Sequence, residues 1–294
     1  MELERWAELS AAIAAVAVAF ERHKRDQHPT ALIVRVHIWA ALHDRPVCWA
    51  CDARNCGLPH TRPPALPDQS TMSRRVRRAD FEQFQRRVGV RMNGKPKPSL
   101  VKRVDGKPLE LPNHTTDRDA TWSRGVSRTS VGYKLHAVWS AGNPMPDAFA
   151  VTTLNVCEKR MAARMIRCVS GCGYLLGDAH YDASWLFNYC HHYCHQLLCP
   201  RAKPGTGLGH HYVSEHRRRA IDLLEPPAGL NPFGPSLYAR RTDIERDFSG
   251  LTCPGGGLAA LPPWVRRIWR VRPWVIAKLL INAARIRLNR KKAS

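Results

Sequence analysis

From about residue 100 onward the chain is written in short apolar runs separated by turn-forming residues, and two of those runs close on an aspartate. They are Leu100-Val101-Lys102-Arg103-Val104-Asp105-Gly106 and Tyr174-Leu175-Leu176-Gly177-Asp178. Runs of this length and composition predict strands at Val101–Asp105, Gly132–Trp139, Ala148–Leu154, Tyr174–Asp178 and Gln196–Pro200. Helical spacing predicts helices over Glu158–Val169, Ser184–His195 and Ser236–Gly250. Strands first, then strands alternating with helices, argue for a mixed sheet flanked by helices. In that arrangement Asp105 and Asp178 sit at strand ends, Asp105 released into solvent by Gly106, and Glu245 approaches from a helix. Carboxylates far apart in sequence then converge at one sheet edge.

The chain has 294 residues, with 46 Lys and Arg against 24 Asp and Glu and a formal net charge of +22. That length has room for about two domains, and that charge makes a polyanion the expected partner, nucleic acid first. The most apolar N-terminal run, Ala11 to Phe20, lies between Glu2, Glu4, Glu8 and Glu21. It is too short to span a bilayer and wrongly flanked for a signal peptide, so no membrane role is expected.

Ten cysteines are consistent with reduced thiols in a cytosol rather than a disulfide framework. Cys48, Cys51, Cys56 and His60 have the ligand types of a structural zinc site and equally suit buried thiols in a helix-to-loop segment. Cys190, Cys194, Cys199 and the histidines between them read as the packed face of a helix, with metal binding as the alternative.

The first 95 residues read as a separate helical region, with helices over 2–25 and 30–43. A Pro-rich connector (Pro59, Pro63, Pro64, Pro67) precedes a further helix over 68–88 capped by Asp68. Arg74, Arg75, Arg77 and Arg78 on that helix suit contact with DNA, Arg74 and Arg75 foremost, or else form a solvated basic face. A basic linker over 89–98 then leads into the second region, 96–294. In it Ala202–Gly234 is expected to be a mobile loop over the site, and Trp264–Arg290 a basic amphipathic helical region.

Acidic residues placed this way in so basic a chain point to divalent metal held against phosphate. Cleaving a phosphodiester with metal takes two ions about 4 Å apart, and hard Mg²⁺ or Mn²⁺ requires oxygen ligands. The expected ligands and catalytic residues are Asp105, Asp178 and Glu245, with Asp182 as an alternative second ligand. Tyr238, Arg241 and Glu245 stand at i, i+3 and i+7 and share one helix face. A guanidinium and a phenol beside a carboxylate suit a face that meets a phosphate.

The spacing Tyr238-x2-Arg241-x3-Glu245 resembles the Tyr-x2-Arg-x3-Glu-x6-Lys signature of DDE transposases of bacterial insertion sequences, of the insertion-sequence-four type. Val104-Asp105-Gly106-Lys107-Pro108-Leu109, the Gly132-Tyr133-Lys134-Leu135-His136 strand and Gly177-Asp178-Ala179-His180-Tyr181-Asp182 resemble that family's other acidic motifs in the same order. The resemblance runs from about residue 100 to residue 285. It departs at Thr252, where the family has Lys, which leaves one terminal-phosphate contact open. The interval between Asp178 and Glu245 has no room for the large β-rich insertion of some relatives.

The resemblance implies an RNase H-like fold with a helical N-terminal DNA-binding region. It also implies metal-dependent cleavage at terminal inverted repeats of double-stranded DNA, followed by attack of the freed 3′-hydroxyl on target DNA. Tyr238, Arg241 and Thr252 would contact DNA, and the chain would act as a homodimer or larger synaptic complex in the bacterial cytoplasm, on the nucleoid. Two other readings stand beside it: a nuclease of the same fold without strand transfer, and an inactive DNA-binding descendant.

Overall fold

The computed structural model describes residues 2–20, 25–55, 65–94, 99–203, 214–227, 232–252, 257–258 and 260–293. They form two compact units: a helical unit from 1–95, 114–120 and 250–294, and a sheet unit from 96–113 and 121–249. One boundary between the units falls at 95/96, and residues 250–294 group with the N-terminal helices.

The helical unit opens with α1 (Glu2–Val18), α2 (Thr30–Leu42), α3 (Val47–Ala50), α4 (Gln69–Val76) and α5 (Ala79–Asn93). The sheet unit follows with β1 (Val101–Leu111), β2 (Thr121–Arg124), β3 (Thr129–Ser140), β4 (Ala148–Thr153), α6 (Glu158–Ile166), β5 (Gly173–Leu176), α7 (Ser184–His192) and β6 (His195–Leu198). It continues through α8 (Glu215–Leu224), α9 (Phe233–Ala239) and α10 (Asp243–Thr252), and the chain closes on α11 (Ile268–Ala293). Among the described residues no helix is long and apolar enough to cross a membrane.

In the helical unit α11 packs against α1, α2 and α5, and Pro273 through Ala284 are all buried. The expected amphipathic basic helix is therefore a central one, with exposed basic residues at both ends, Arg270 and Arg272 at the start and Arg290, Lys291 and Lys292 at the finish. Its first turn is anchored by Asp117, which accepts from the Arg267 N–H at 2.9 Å, and by Asp119, which accepts from that of Ile268 at 2.9 Å. Even Lys278 is fully buried. Its ammonium reaches the Ala41 carbonyl oxygen at 2.7 Å and Asp44 at 2.6 Å, and burial pushes its pKa down.

The helix expected over 68–88 is two helices. Arg78 lies between them in an extended conformation, φ −78° and ψ 146°, with its guanidinium on Asp26 and Asp80. α5 runs on through Gly89, where a linker was expected, and stops at Gly94, whose φ of +66° suits a residue without Cβ.

The six-stranded sheet has the order β2-β3-β1-β5-β6, with β4 also paired to β3. β1 is antiparallel to β3, with Arg103 opposite Trp139 and Asp105 opposite Ala137. β1 is parallel to β5, with Arg103 opposite Leu176. Side chains alternate between faces along a strand, so Val104 and Val138 point into a cluster with Ala162, Ile166, Leu186 and Phe187 of α6 and α7. Arg103, Asp105 and Trp139 point to the other face. There Trp139 meets Phe248 of α10 edge-on at 6.2 Å between ring centroids. The segment expected to be a loop, Ala202–Gly234, contains α8, capped by Ser214 accepting from the Arg217 N–H. Residues 204–213 and 228–231 of it lie outside the described residues.

Arg75 is 7% exposed. Its guanidinium donates to the His28 carbonyl at 2.8 Å and to Thr30 Oγ1 at 2.9 Å, and it lies 3.1 Å from Asp26. Breaking such a buried pair costs about 3–5 kcal/mol. Arg75→Ala should lower the stability of the chain by that amount in urea unfolding, whereas exposed Arg74→Ala should stay within about 0.5 kcal/mol. Equal, small losses in the two variants would contradict a structural role for Arg75.

Candidate active site

Asp105 stands in the middle of an eleven-residue strand, not at a strand end as expected. β3 is long enough to pair with β1 as far as Leu111, so the strand passes through Gly106 instead of stopping there. The Asp105 side chain is 18% exposed and accepts from the Gly106 N–H at 2.7 Å. Gly106 is crowded on the opposite face: an added Cβ would lie 3.0 Å from Glu158 Oε1 and 3.1 Å from Lys134 Cδ.

Asp178 follows β5 by two residues. The parallel register that sets Arg103 opposite Leu176, carried two residues further on both strands, brings Asp178 beside Asp105. It caps a 3-10 turn over Ala179–Tyr181, accepting from the His180 N–H at 2.9 Å, and lies 3.2 Å from His180 Nδ1. Burial pushes the Asp105 carboxyl up to about 6; the Gly106 N–H and Arg241 pull it down, while Asp178 and Glu158 push it further up. A like charge within electrostatic reach in a desolvated setting disfavours ionisation of the buried Asp105.

Tyr238, Arg241 and Glu245 lie on a helical stretch that is not one helix. α9 ends at Ala239, a 3-10 turn spans Arg240–Thr242, and α10 begins at Asp243. All three side chains still meet one site. The Tyr238 hydroxyl donates to the Gly177 carbonyl at 3.1 Å, tying α9 to the residue before Asp178, and burial pushes its pKa up to about 12. Arg241 lies between two carboxylates, donating to Glu245 at 3.1 Å and standing 3.7 Å from Asp105. Its Nε is buried without a hydrogen-bond partner. The Glu245 side chain is 60% exposed.

Several contributing residues carried no signal in the sequence. Arg103, two residues before Asp105 on the same face, is buried and pairs with Asp243 at 3.1 Å and Asp247 at 2.9 Å. The two aspartates stand one turn apart on α10, so a single strand guanidinium holds the helix that carries Glu245. Glu158 begins α6 and pairs with Lys134 at 2.6 Å. A short motif fragment gives no hint that Glu158 lies near Asp105, because only the packing of α6 on β3 puts it there.

The remaining expected site residues are placed as follows. Asp182 is engaged by Arg217 at 2.6 and 2.8 Å and by the Ala202 N–H. Arg74 is exposed, donating to Thr71, whereas the expectation that Arg75 reaches DNA is corrected by its burial against His28, Thr30 and Asp26. Thr252 is the exposed last residue of α10. Cys48 is exposed and Cys51 half-buried, while Cys56 and His60 of the possible zinc cluster lie outside the described residues. Cys190 and Cys199 are buried thiols pushed up in pKa by desolvation, and Cys194 is exposed.

Among the described residues no three His, Cys, Asp or Glu side chains stand close enough together to hold a metal ion. Asp105 and Asp178 do fit a hard divalent cation by donor chemistry, since both offer carboxylate oxygens and their mutual repulsion is only partly met by Arg241. Glu245 is linked to that pair through the Arg241 guanidinium.

The raised pKa has a sign that can be tested without DNA. Below about pH 4 Asp105 is protonated whether folded or unfolded and contributes nothing; as pH rises through about 6 its ionisation in the buried site removes stability. Asp105→Asn, measured in EDTA, should therefore stabilise the chain on the order of 2 kcal/mol at pH 7.5 and not at all near pH 4. A variant destabilised at pH 7.5 would contradict the strained carboxylate.

No protein-family model matches the chain, and no curated protein matches it. Among solved structures, a cryo-EM structure of a piggyBac transposase synaptic complex with hairpin DNA is similar over 96% of this chain and 71% of its own, with a TM-score of 0.46 and 10% identity. At that level the likeness leaves the function to be argued from the residues of the site.

Proposed function

We propose that this chain is a DNA transposase of the DDE type, with an RNase H-like sheet unit that cuts and joins DNA. The observation that carries the reading is the convergence of Asp105 on β1 with Asp178, just past the end of the adjacent parallel strand β5, and Arg241 set between Asp105 and Glu245. The net charge of +22 supports a polyanionic partner.

In this reading Asp105, Asp178 and Glu245 would hold Mg²⁺ or Mn²⁺, two ions in all. Metal bound there supplies an activated water and neutralises charge on the leaving oxygen. The remaining work falls to the chain's own groups. Arg241, whose Nε has no protein partner, clamps the scissile phosphate with a planar fork. Tyr238 holds the Gly177 carbonyl and so fixes the backbone that presents Asp178. The Arg103 brace keeps α10, and with it Glu245, against β1.

Hydrolysis of one phosphodiester leaves a 3′-hydroxyl, and attack of that hydroxyl on a second phosphodiester joins the strands with loss of the target's 3′-oxygen. Double-stranded DNA with terminal inverted repeats is the proposed first substrate, and target DNA the second. Thr252 offers a neutral hydroxyl where related enzymes place Lys, and exposed Arg74 is available to the DNA backbone. A homodimer or larger synaptic complex on the bacterial nucleoid completes the proposal.

Purified protein should nick and join its own element ends only with Mg²⁺ or Mn²⁺. Asp105→Ala, Asp178→Ala and Glu245→Ala should each lower the cutting rate at least about a thousandfold, as loss of an essential catalytic group does. Binding to the same DNA in a gel shift should remain within a fewfold. Cutting by Asp178→Ala at the wild-type rate, or undiminished cutting in EDTA, would sink the assignment. Cut ends that never join would leave a nuclease.

A further inference from the structure

The helical unit contains a cavity of about 150 Å³ that the catalytic reading does not use. Trp264, Trp269 and Trp274 line it together with Met72 and Val76, and its polar lining includes Ser73, Gln69 and His37. An apolar cavity of about this volume takes up one benzene-sized ring.

Two further observations say what kind of ring. His37 is 3% exposed, and its Nδ1 is buried with no hydrogen-bond partner, although a buried polar atom is ordinarily satisfied. The ring stands edge-on to Phe81 and Trp274, and burial pushes its pKa down to about 4, so it is neutral at physiological pH. A ligand with a polar edge would meet that nitrogen where a hydrocarbon would not. At the rim, the guanidiniums of Arg77 and Arg270 lie 4.2 and 4.5 Å from the centre of the Trp269 ring, and both residues are exposed.

Aromatic faces for stacking, an orphaned polar atom inside and exposed cations at the rim are together the chemistry that receives a nucleobase with its backbone phosphates. We propose that this cavity binds a single unstacked base of a nucleic-acid strand. The base stacks against Trp264 at the cavity wall, its polar edge meets His37, and Arg77 and Arg270, which lie over the Trp269 ring, contact the flanking phosphates. The proposal rests on the nucleic-acid partner of the preceding reading and is independent of its catalytic chemistry.

The test uses the full chain and three short single strands of equal length and charge: oligothymidylate, oligodeoxyadenylate and an abasic strand. Oligothymidylate should quench tryptophan fluorescence and bind about 5- to 100-fold more tightly than the abasic strand, the range that stacking one base provides. Oligodeoxyadenylate should show a gain of the same order. Trp264→Ala should remove most of the preference for base-bearing strands and leave abasic binding unchanged. Ser73→Leu, which fills the cavity from α4, should do the same and covers the case in which Trp264→Ala does not fold. Equal affinity for base-bearing and abasic strands in the parent chain would overturn the proposal. So would a preference that survives both variants. A chain that cuts DNA yet shows no base preference fails this inference alone; one that shows the preference but never cuts fails only the catalytic reading.

Discussion

The buried guanidinium of Arg103 is the contact on which the site's geometry depends. It stands on β1 two residues before Asp105 and takes both Asp243 and Asp247 of α10, so one strand side chain fixes the axial position of the helix carrying Glu245. Placing it there is costly: burial pushes the Asp247 carboxyl up to about 6 even with Arg103 beside it. Buried ion pairs of this kind contribute little net stability against an apolar replacement, but removing one partner is expensive. Arg103 is better understood as setting register, with Trp139 against Phe248 supplying the apolar contact that holds the same two elements together.

The candidate site sets few cations against several anions. Asp105 is desolvated, has Asp178 and Glu158 nearby, and is compensated by the Gly106 N–H, the Arg241 guanidinium and the more distant charge of Lys107. Arg241 is shared with Glu245 and leaves one buried nitrogen without a partner. An arrangement so short of positive charge, inside a chain with a large excess of it, is what a site for a divalent cation and a phosphate would require. In the helical unit, by contrast, the buried ammonium of Lys278 is met by Asp44 and the Ala41 carbonyl.

The alternation from helices to short strands and the common face of Tyr238, Arg241 and Glu245 were legible in residue order, because each depends on local periodicity; the parallel pairing of β1 with β5 was not, since it joins segments distant in sequence. What was not legible depends on partners distant in sequence. Asp105 reads as a strand end because Gly106 and Pro108 follow it, yet β3 supplies pairing through both positions. Arg75 reads as one of four equivalent arginines, and only the approach of Asp26, His28 and Thr30 separates it from exposed Arg74. The Arg103 brace and the place of Glu158 are likewise tertiary. α11 reads as amphipathic from its charges, but those charges are concentrated toward its two ends while its middle is enclosed on every side.

The central claim of the proposal is that Asp105, Asp178 and Glu245 together would hold the divalent metal. Replacing Mg²⁺ by Fe²⁺ and generating hydroxyl radicals from the bound iron cuts the polypeptide close to the ion. The account predicts cuts clustered around residues 105, 178 and 245 together, suppressed by excess Mg²⁺ and absent from Asp178→Ala. Cuts confined to one of the three segments, or unaltered in Asp178→Ala, would contradict it.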